Sequence, residues 1–132
     1  MKFQSKFEEV TYAVLKAFKG ILVGYETEKL YYAIPARKAQ YTPDFILENK
    51  AKTKKVYIET KGYMRPTDRV KMLRVKRSHP DLDIRMIFQR DNKIKGTKMN
   101  YSDWAVRHGF PYAIGEKDEV IKIWAKELRK ES

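Results

Sequence analysis

Two short apolar runs joined by a lysine-rich connector constrain the fold of this chain more than any other feature. The first run follows Pro43-Asp44, the second begins at Val56 and ends before Gly62, and residues 49–55 lie between them. Short runs rich in β-branched and aromatic residues are typical of strands, so the pattern predicts a β-hairpin over residues 43–61. Polar side chains that share one face of this hairpin then become neighbours.

Asp44 opens the first predicted strand, Glu59 lies near the end of the second, and Lys61 follows two residues later. Successive strand side chains alternate between faces, so Glu59 and Lys61 point the same way, and a hairpin register can bring Asp44 to that face. Two carboxylates and an ammonium group on one face are costly without a compensating partner. A divalent metal ion with a phosphate is one such partner. The alternative is a set of surface salt bridges in a chain that is 35% charged.

The first hypothesis is therefore a metal-dependent nuclease site. Phosphodiester hydrolysis requires an oriented water, charge relief on the phosphate and stabilisation of the leaving oxygen, and Mg²⁺ held by carboxylate oxygens supplies much of this. We expect Asp44 and Glu59 to be metal ligands, with the backbone carbonyl of Thr60 as a third. We expect Lys61 to orient the attacking water or stabilise developing charge, and a depressed pKa would let it act as the base.

The charge balance of the chain indicates a polyanionic partner. Lysine and arginine number 29 against 17 acidic residues, which gives a net charge of +12 over 132 residues. Nucleic acid is the simplest such partner, and solubility alone is the alternative. Phosphate contacts position a DNA backbone without reading its sequence. The candidates for such contacts are Arg37, Lys38, Lys71, Arg74 and Arg77.

Composition also limits where the protein is expected to act. The length suits a single domain with a modest core. There is no cysteine, which excludes disulfides and thiolate metal sites and fits a reducing compartment. No apolar run approaches the roughly 18 residues of a membrane span, and the first residues lack a signal-peptide pattern. We expect a soluble, cytoplasmic protein with no membrane partner and no nucleotide cofactor.

The remaining sequence predicts helices and strands around the hairpin. Ser5 and Glu8 fit a capping box at the start of a first helix, and the residues alone favour that capping role for Glu8. Strand, helix and strand after the hairpin predict a parallel crossover. The other predicted elements are one or two strands over 21–34, a basic connector over 36–40, a helix capped by Thr67 and closed by His79-Pro80, a strand over 83–88, a short helix capped by Ser102, and a helix over 116–130.

Several separate blocks resemble one family of nucleases. The arrangement Pro43-Asp44 with Glu59-Thr60-Lys61 resembles the catalytic motif of the restriction-endonuclease-like superfamily. The fuller set of blocks resembles the phage endonuclease I family of Holliday-junction resolvases. These blocks are Ile34-Pro-Ala, Tyr41-Thr-Pro-Asp-Phe, Glu59-Thr-Lys-Gly and His79-Pro-Asp-Leu-Asp-Ile-Arg. The resemblance implies an α/β (α+β) fold in one nuclease domain, with a mixed central sheet of about five strands flanked by helices.

The resemblance also implies roles for particular residues. Asp44 and Glu59 match the family's metal ligands, and Lys61 matches its catalytic lysine. Glu8 matches an acid of the first helix that completes the site and holds a second metal ion, which reverses the capping interpretation. The implied activity is a metal-dependent endodeoxyribonuclease with two Mg²⁺ or Mn²⁺ ions per site that resolves four-way and other branched DNA by paired cleavage.

A two-fold assembly is expected on two grounds. A four-way junction has approximate two-fold symmetry and must be cut on two strands, which favours a homodimer. The resemblance further implies that residues 5–34 are exchanged between subunits and that the phage-encoded protein acts in the host cytoplasm. Two other functions remain open: a nicking, homing-type or transposon-end endonuclease on duplex DNA, and a basic DNA-binding protein without catalysis.

Overall fold

The computed structural model describes residues 2–18, 20–34 and 37–130, with the side chains at 34, 37 and 38 outside that description. Within these ranges the chain forms four helices, α1 (Lys6–Lys16), α2 (Pro66–Ser78), α3 (Tyr101–Arg107) and α4 (Glu119–Lys130). It also forms seven strands, β1 (Leu22–Tyr25), β2 (Leu30–Ile34), β3 (Arg37–Tyr41), β4 (Phe45–Glu48), β5 (Lys55–Lys61), β6 (Asp83–Phe88) and β7 (Tyr112–Ile114). None of the described helices is long and apolar enough to cross a lipid bilayer.

The central sheet has five strands in the order β1-β4-β5-β6-β7. Strands β1, β4 and β5 are antiparallel neighbours, whereas β5, β6 and β7 run parallel. The predicted mixed α/β architecture, the hairpin of β4 and β5, and the parallel crossover from β5 through α2 to β6 are therefore confirmed. Strand β7 was not predicted, because three residues carry too little pattern to be recognised.

Each face of the sheet has its own apolar core. Partners across the hairpin share a face, so Ile46 and Tyr57 join the core under α2 and α3. Phe45 and Ile58 join the core under α1 and α4. Helices cover both faces of the sheet, and the polar side chains at the end of β5 line a cleft.

Four local predictions are corrected. The prediction of a basic connector over 36–40 is wrong for residues 37–40, because these lie in β3, which pairs with β2 to make a separate two-stranded antiparallel sheet. Residue 36 lies outside the described residues. Thr67 does not cap α2. The helix starts at Pro66, which has no N–H, and the N–H of Arg65 donates to Asp68 Oδ2 at 2.9 Å. Ser102 does not cap α3 either, since Asn100 and Asp103 form that cap. The last helix begins at Glu119 rather than 116.

Candidate active site

The hairpin register places Asp44 beside Glu59. Phe45 lies opposite Ile58, so the residue before Phe45 meets the residue after Ile58. Both carboxylates are buried, at 8% and 7% exposure. The backbone N–H and the hydroxyl of Thr60 both donate to Asp44 Oδ2 at 2.8 Å. These bonds tie the carboxylate of Asp44 to β5 and fix its position relative to Glu59.

Glu59 and Lys61 lie side by side, as strand alternation predicts. Lys61 Nζ is 3.2 Å from Glu59 Oε2, and the Tyr41 hydroxyl donates to Glu59 Oε1 at 2.9 Å. The carboxylate of Glu59 is thus held through one oxygen by a buried tyrosine and through the other by an ammonium group. Tyr41 belongs to the matched block Tyr41-Thr-Pro-Asp-Phe, but nothing in the sequence assigned it this contact.

The paired carboxylates are electrostatically unfavourable in the protein alone. Burial, then repulsion from Glu59, raises the pKa of Asp44 to about 8, although hydrogen bonds from Thr60 oppose the shift. Burial also raises the pKa of Glu59, against the opposing effects of Lys61 and Tyr41. Two buried acids whose charged forms are disfavoured are stabilised when a cation binds between them.

The charge environment of Lys61 does not provide the depressed pKa that would let it act as the base. Burial favours the neutral amine, but the neighbouring carboxylates of Glu59 and Asp68 outweigh it and raise the pKa of Lys61. Lys61 therefore carries a positive charge, and in this state it can donate hydrogen bonds but cannot accept a proton. Its suitable roles are orienting a water and stabilising negative charge.

Helix α1 brings Glu8 to the same cleft. Ser5 caps the helix as predicted, with its Oγ accepting from the Glu8 N–H at 3.1 Å. The Glu8 carboxylate does not return to Ser5, however, and instead accepts from the Tyr25 hydroxyl and from the backbone N–H of Gln4. The capping-box interpretation of Glu8 is therefore half right, and its carboxylate is directed by tertiary contacts. Here Glu8 and Asp44 meet within one chain.

Glu26 is an acid of the site that the sequence did not indicate. One carboxylate oxygen each from Glu8, Glu26 and Asp44 lies within 4.8 Å of the others. Glu26 follows β1 with a left-handed φ of 53°, which a non-glycine residue adopts at some energetic cost. Its N–H donates to the Asp44 carbonyl at 3.1 Å, and Gln4 Nε2 donates to its carboxylate at 2.8 Å.

The donor set fits a hard divalent cation. Glu8, Glu26 and Asp44 provide oxygen ligands within reach of one centre, and Glu59 adds a fourth carboxylate beside Asp44. Mg²⁺ and Mn²⁺ prefer such ligands, and the set contains no sulfur or imidazole that would favour a softer ion. Thr60 lies in β5 between Glu59 and Lys61, and the role predicted for its carbonyl stays a prediction.

A cleft of about 560 Å³ contains these acids together with basic side chains. Lysine and arginine residues on its wall are Lys29, Lys61, Arg65 and Lys71. Lys71 was predicted to contact phosphates, and its Nζ lies 5.5 Å from the centre of the Tyr41 ring. A cleft that combines carboxylates with cations suits a metal-bound phosphodiester.

Comparison with known proteins identifies the family. The family model for phage endonuclease I matches residues 1–131. This chain belongs to the phage endonuclease I family. It is 38% identical over 132 residues to Endonuclease I of Escherichia phage T7, covering 98% of this chain and 82% of that protein. It is 37% identical over 132 residues to Endodeoxyribonuclease 1 of Enterobacteria phage T3, covering 98% of this chain and 80% of the relative.

The family match confirms the resemblance and extends it to the C-terminal helix.

Among the candidate phosphate contacts, Lys71 reaches the cleft, Arg74 lines a neighbouring cavity with Tyr32, and Arg77 is exposed farther along α2. Arg37 and Lys38 lie in β3, but their side chains are outside the described part of the chain. Sequence reasoning missed Tyr25, Glu26 and Tyr41 as parts of the site, because each acts through a contact distant in sequence.

Proposed function

We propose that this protein is a metal-dependent endodeoxyribonuclease that resolves four-way junctions and other branched DNA by paired phosphodiester hydrolysis. The observation that carries the proposal is the meeting of Asp44, Glu59 and Lys61 with the acids Glu8 and Glu26 in a cleft whose wall also carries lysine and arginine side chains. The named relatives support it, since both are endonucleases by name. The net charge of +12 supports DNA as the substrate.

Two bound Mg²⁺ or Mn²⁺ ions would relieve phosphate charge and activate the attacking water. In this proposal Asp44, Glu59 and the Thr60 carbonyl would hold one ion, and Glu8 would serve the second. Glu26 is close enough to Glu8 and Asp44 to serve as a further ligand of that second ion. The Tyr41 hydroxyl orients Glu59, and the two Thr60 hydrogen bonds orient Asp44.

The cationic side chains would act on the DNA itself. Lys61 donates a hydrogen bond to a phosphate oxygen or to the attacking water, where its positive charge counters the charge developing in the transition state. Lys71, Arg74 and Arg77, all on α2, would bind flanking phosphates. Arg37 and Lys38 are proposed for the same role from the sequence alone. Contacts of this kind recognise the path of the backbone, as selection of a junction by shape requires.

The direct test compares DNA substrates of matched sequence. A synthetic four-way junction should be cut in pairs of strands in Mg²⁺ and left intact in EDTA, while the linear duplex is cut far more slowly. Equal cleavage of duplex and junction would instead support the duplex endonuclease. Binding without nicking in Mg²⁺ or Mn²⁺ would support a non-catalytic DNA-binding protein.

We further propose a homodimer in which residues 5–34 exchange between subunits and which acts in the bacterial cytoplasm. Exchange would place Glu8 of one subunit beside Asp44 of the other, using the contacts seen here within one chain. Mixing Glu8→Ala with Asp44→Ala subunits then regenerates one complete site per heterodimer, which nicks a junction. If each chain builds its own site, the mixture stays inactive.

A further inference from the structure

We propose that Asp68 is a positioning residue that fixes the ammonium group of Lys61 in the cleft. The inference rests on the proposed nuclease function and adds a residue to it. Asp68 lies in the first turn of α2, on a different element from the acids discussed above, and is 7% exposed. Its Oδ1 is 3.6 Å from Lys61 Nζ, while Glu59 Oε2 is 3.2 Å from the same nitrogen. The ammonium group is thus held between a strand and a helix.

The two oxygens of Asp68 have different partners. Oδ2 accepts from the backbone N–H of Arg65 at 2.9 Å and from Arg65 Nε at 3.2 Å, which completes the cap of α2. Oδ1 accepts from Arg65 at 3.3 Å and is the atom near Lys61. The carboxylate therefore connects two cations, Lys61 inside the cleft and Arg65 at its wall, where the Arg65 side chain is 66% exposed.

Capping alone does not account for this arrangement. Asp103 occupies the same position in the first turn of α3, where its Oδ2 accepts from the Asn100 N–H at 2.9 Å. Asp103 is exposed, as is usual for a carboxylate that caps a helix, whereas Asp68 is buried in the wall of the cleft. Burying a carboxylate is costly unless a cation pairs with it. Burial alone would raise the pKa of Asp68, but the contacts with Arg65 and Lys61 lower it.

The contact matters because a lysine side chain is flexible. Lys61 is the last residue of β5, and its flexible four-carbon side chain by itself restricts the position of the ammonium group little. Its side chain retains 22% exposure and could leave the site by rotating about its own bonds. A second carboxylate on α2 limits that rotation, so that the ammonium group is already placed when DNA binds. Holding the ammonium group in position before DNA binds lowers the free-energy barrier of the chemical step more than it changes the affinity for DNA.

The test is Asp68→Asn, with Asp103→Asn as its matched control. Asparagine keeps the shape and an acceptor for the Arg65 N–H, so the helix cap survives while the charge facing Lys61 is lost. We expect the single-turnover rate on a four-way junction to fall about tenfold or more. Junction affinity without a cleavage-supporting metal should stay within about twofold, because a buried carboxylate offers no attractive contact to a phosphate. Asp103→Asn should change neither, and Asp68→Glu should recover part of the lost rate.

Two further measurements separate positioning from a purely structural role. Asp68→Asn should not slow a Lys61→Ala enzyme further, because the proposed effect acts through Lys61. In the metal-free protein, nitrogen relaxation of the Lys61 ammonium group should show greater mobility in Asp68→Asn. The proposal is overturned by equal rate losses in Asp68→Asn and Asp103→Asn, by a further loss in the Lys61→Ala background, or by unchanged Lys61 mobility. If the wild type cuts no DNA, it is the nuclease function that fails, and the mobility result still decides the role of Asp68.

Discussion

Thr60 donates two hydrogen bonds to one oxygen of Asp44, from its backbone N–H and from its hydroxyl, each at 2.8 Å. The two strands of the hairpin are therefore linked at the position where the site needs them fixed. The backbone bond is independent of the side chain at 60, whereas the hydroxyl bond is specific to threonine or serine. Substitution at this position can thus separate the placement of Asp44 from the pairing of the strands.

Thr60→Val should lower the cleavage rate about tenfold and destabilise the fold by about 1 kcal/mol, because an isosteric side chain removes a single buried hydrogen bond. Thr60→Ser keeps the hydroxyl and is the control, with a rate within about threefold of the wild type. Single-turnover cleavage and urea unfolding measure the two effects. A valine variant as active as the serine variant would show that the hydroxyl does not matter for the placement of Asp44.

Tyr41→Phe should weaken divalent-metal binding by about tenfold, because Glu59 loses the hydroxyl that orients it. Tyr57→Phe removes a similar bond, from the Tyr57 hydroxyl to Glu28 at 3.1 Å, and should leave metal binding unchanged. Calorimetric titration of Mn²⁺ into each variant measures the difference. Equal affinities in the two variants would contradict the role given to Tyr41.

The metal-free protein should lose stability as pH rises. Burial raises the pKa of Asp44 in the folded protein to about 8, above the ordinary aspartate value of 3.8. Between these two pH values the folded state therefore holds a proton that the unfolded chain releases. The free energy of unfolding should therefore fall between about pH 4 and 8, by up to about 1.4 kcal/mol per pH unit for this group.

Urea unfolding in EDTA across this range measures the pH effect. Asp44→Asn should flatten the slope, and added Mg²⁺ should stabilise the wild type most near pH 8, where its ligands are ionised. A slope that is the same in Asp44→Asn and the wild type would mean that Asp44 is not the titrating group.

Lys71→Gln should weaken junction binding. It should also reduce the slope of the logarithm of the binding constant against the logarithm of salt concentration by about one, the amount expected for one lost phosphate contact. Lys71 lies at the cleft, whereas Lys122 is an exposed lysine on α4, across the sheet. Lys122→Gln removes the same charge from the chain and serves as the control, with unchanged affinity. Dissociation constants measured at several salt concentrations give this slope for each variant. Equal slopes in the two variants would show that Lys71 does not contact the DNA.

Local pattern predicted the half of the site that lies on the hairpin. The alternation of β5 is enough to place Glu59 beside Lys61, and the length of the connector is enough to pair β4 with β5. Capping by Ser5 was also predicted correctly, since it depends on residues three positions apart.

The other half depends on contacts that local pattern does not encode. Glu26 reaches the site only because β1 pairs with β4 and because its backbone is left-handed. Strand β3 is too basic to be recognised as a strand, and its pairing with β2 decides its structure. Asp68 lies in the first turn of α2, seven residues after Lys61, and its contact with Lys61 arises when α2 packs on the sheet.

Cleavage of a four-way junction by Glu59→Ala in Mg²⁺ tests the central claim most directly. Glu59 is a proposed metal ligand, the partner of Tyr41 and the neighbour of Lys61, so its loss should disable the chemistry without removing the basic surface. We predict that cleavage falls at least about a hundredfold while junction affinity stays within about threefold of the wild type. A Glu59→Ala enzyme that cuts the junction at the wild-type rate would contradict the assignment of this site.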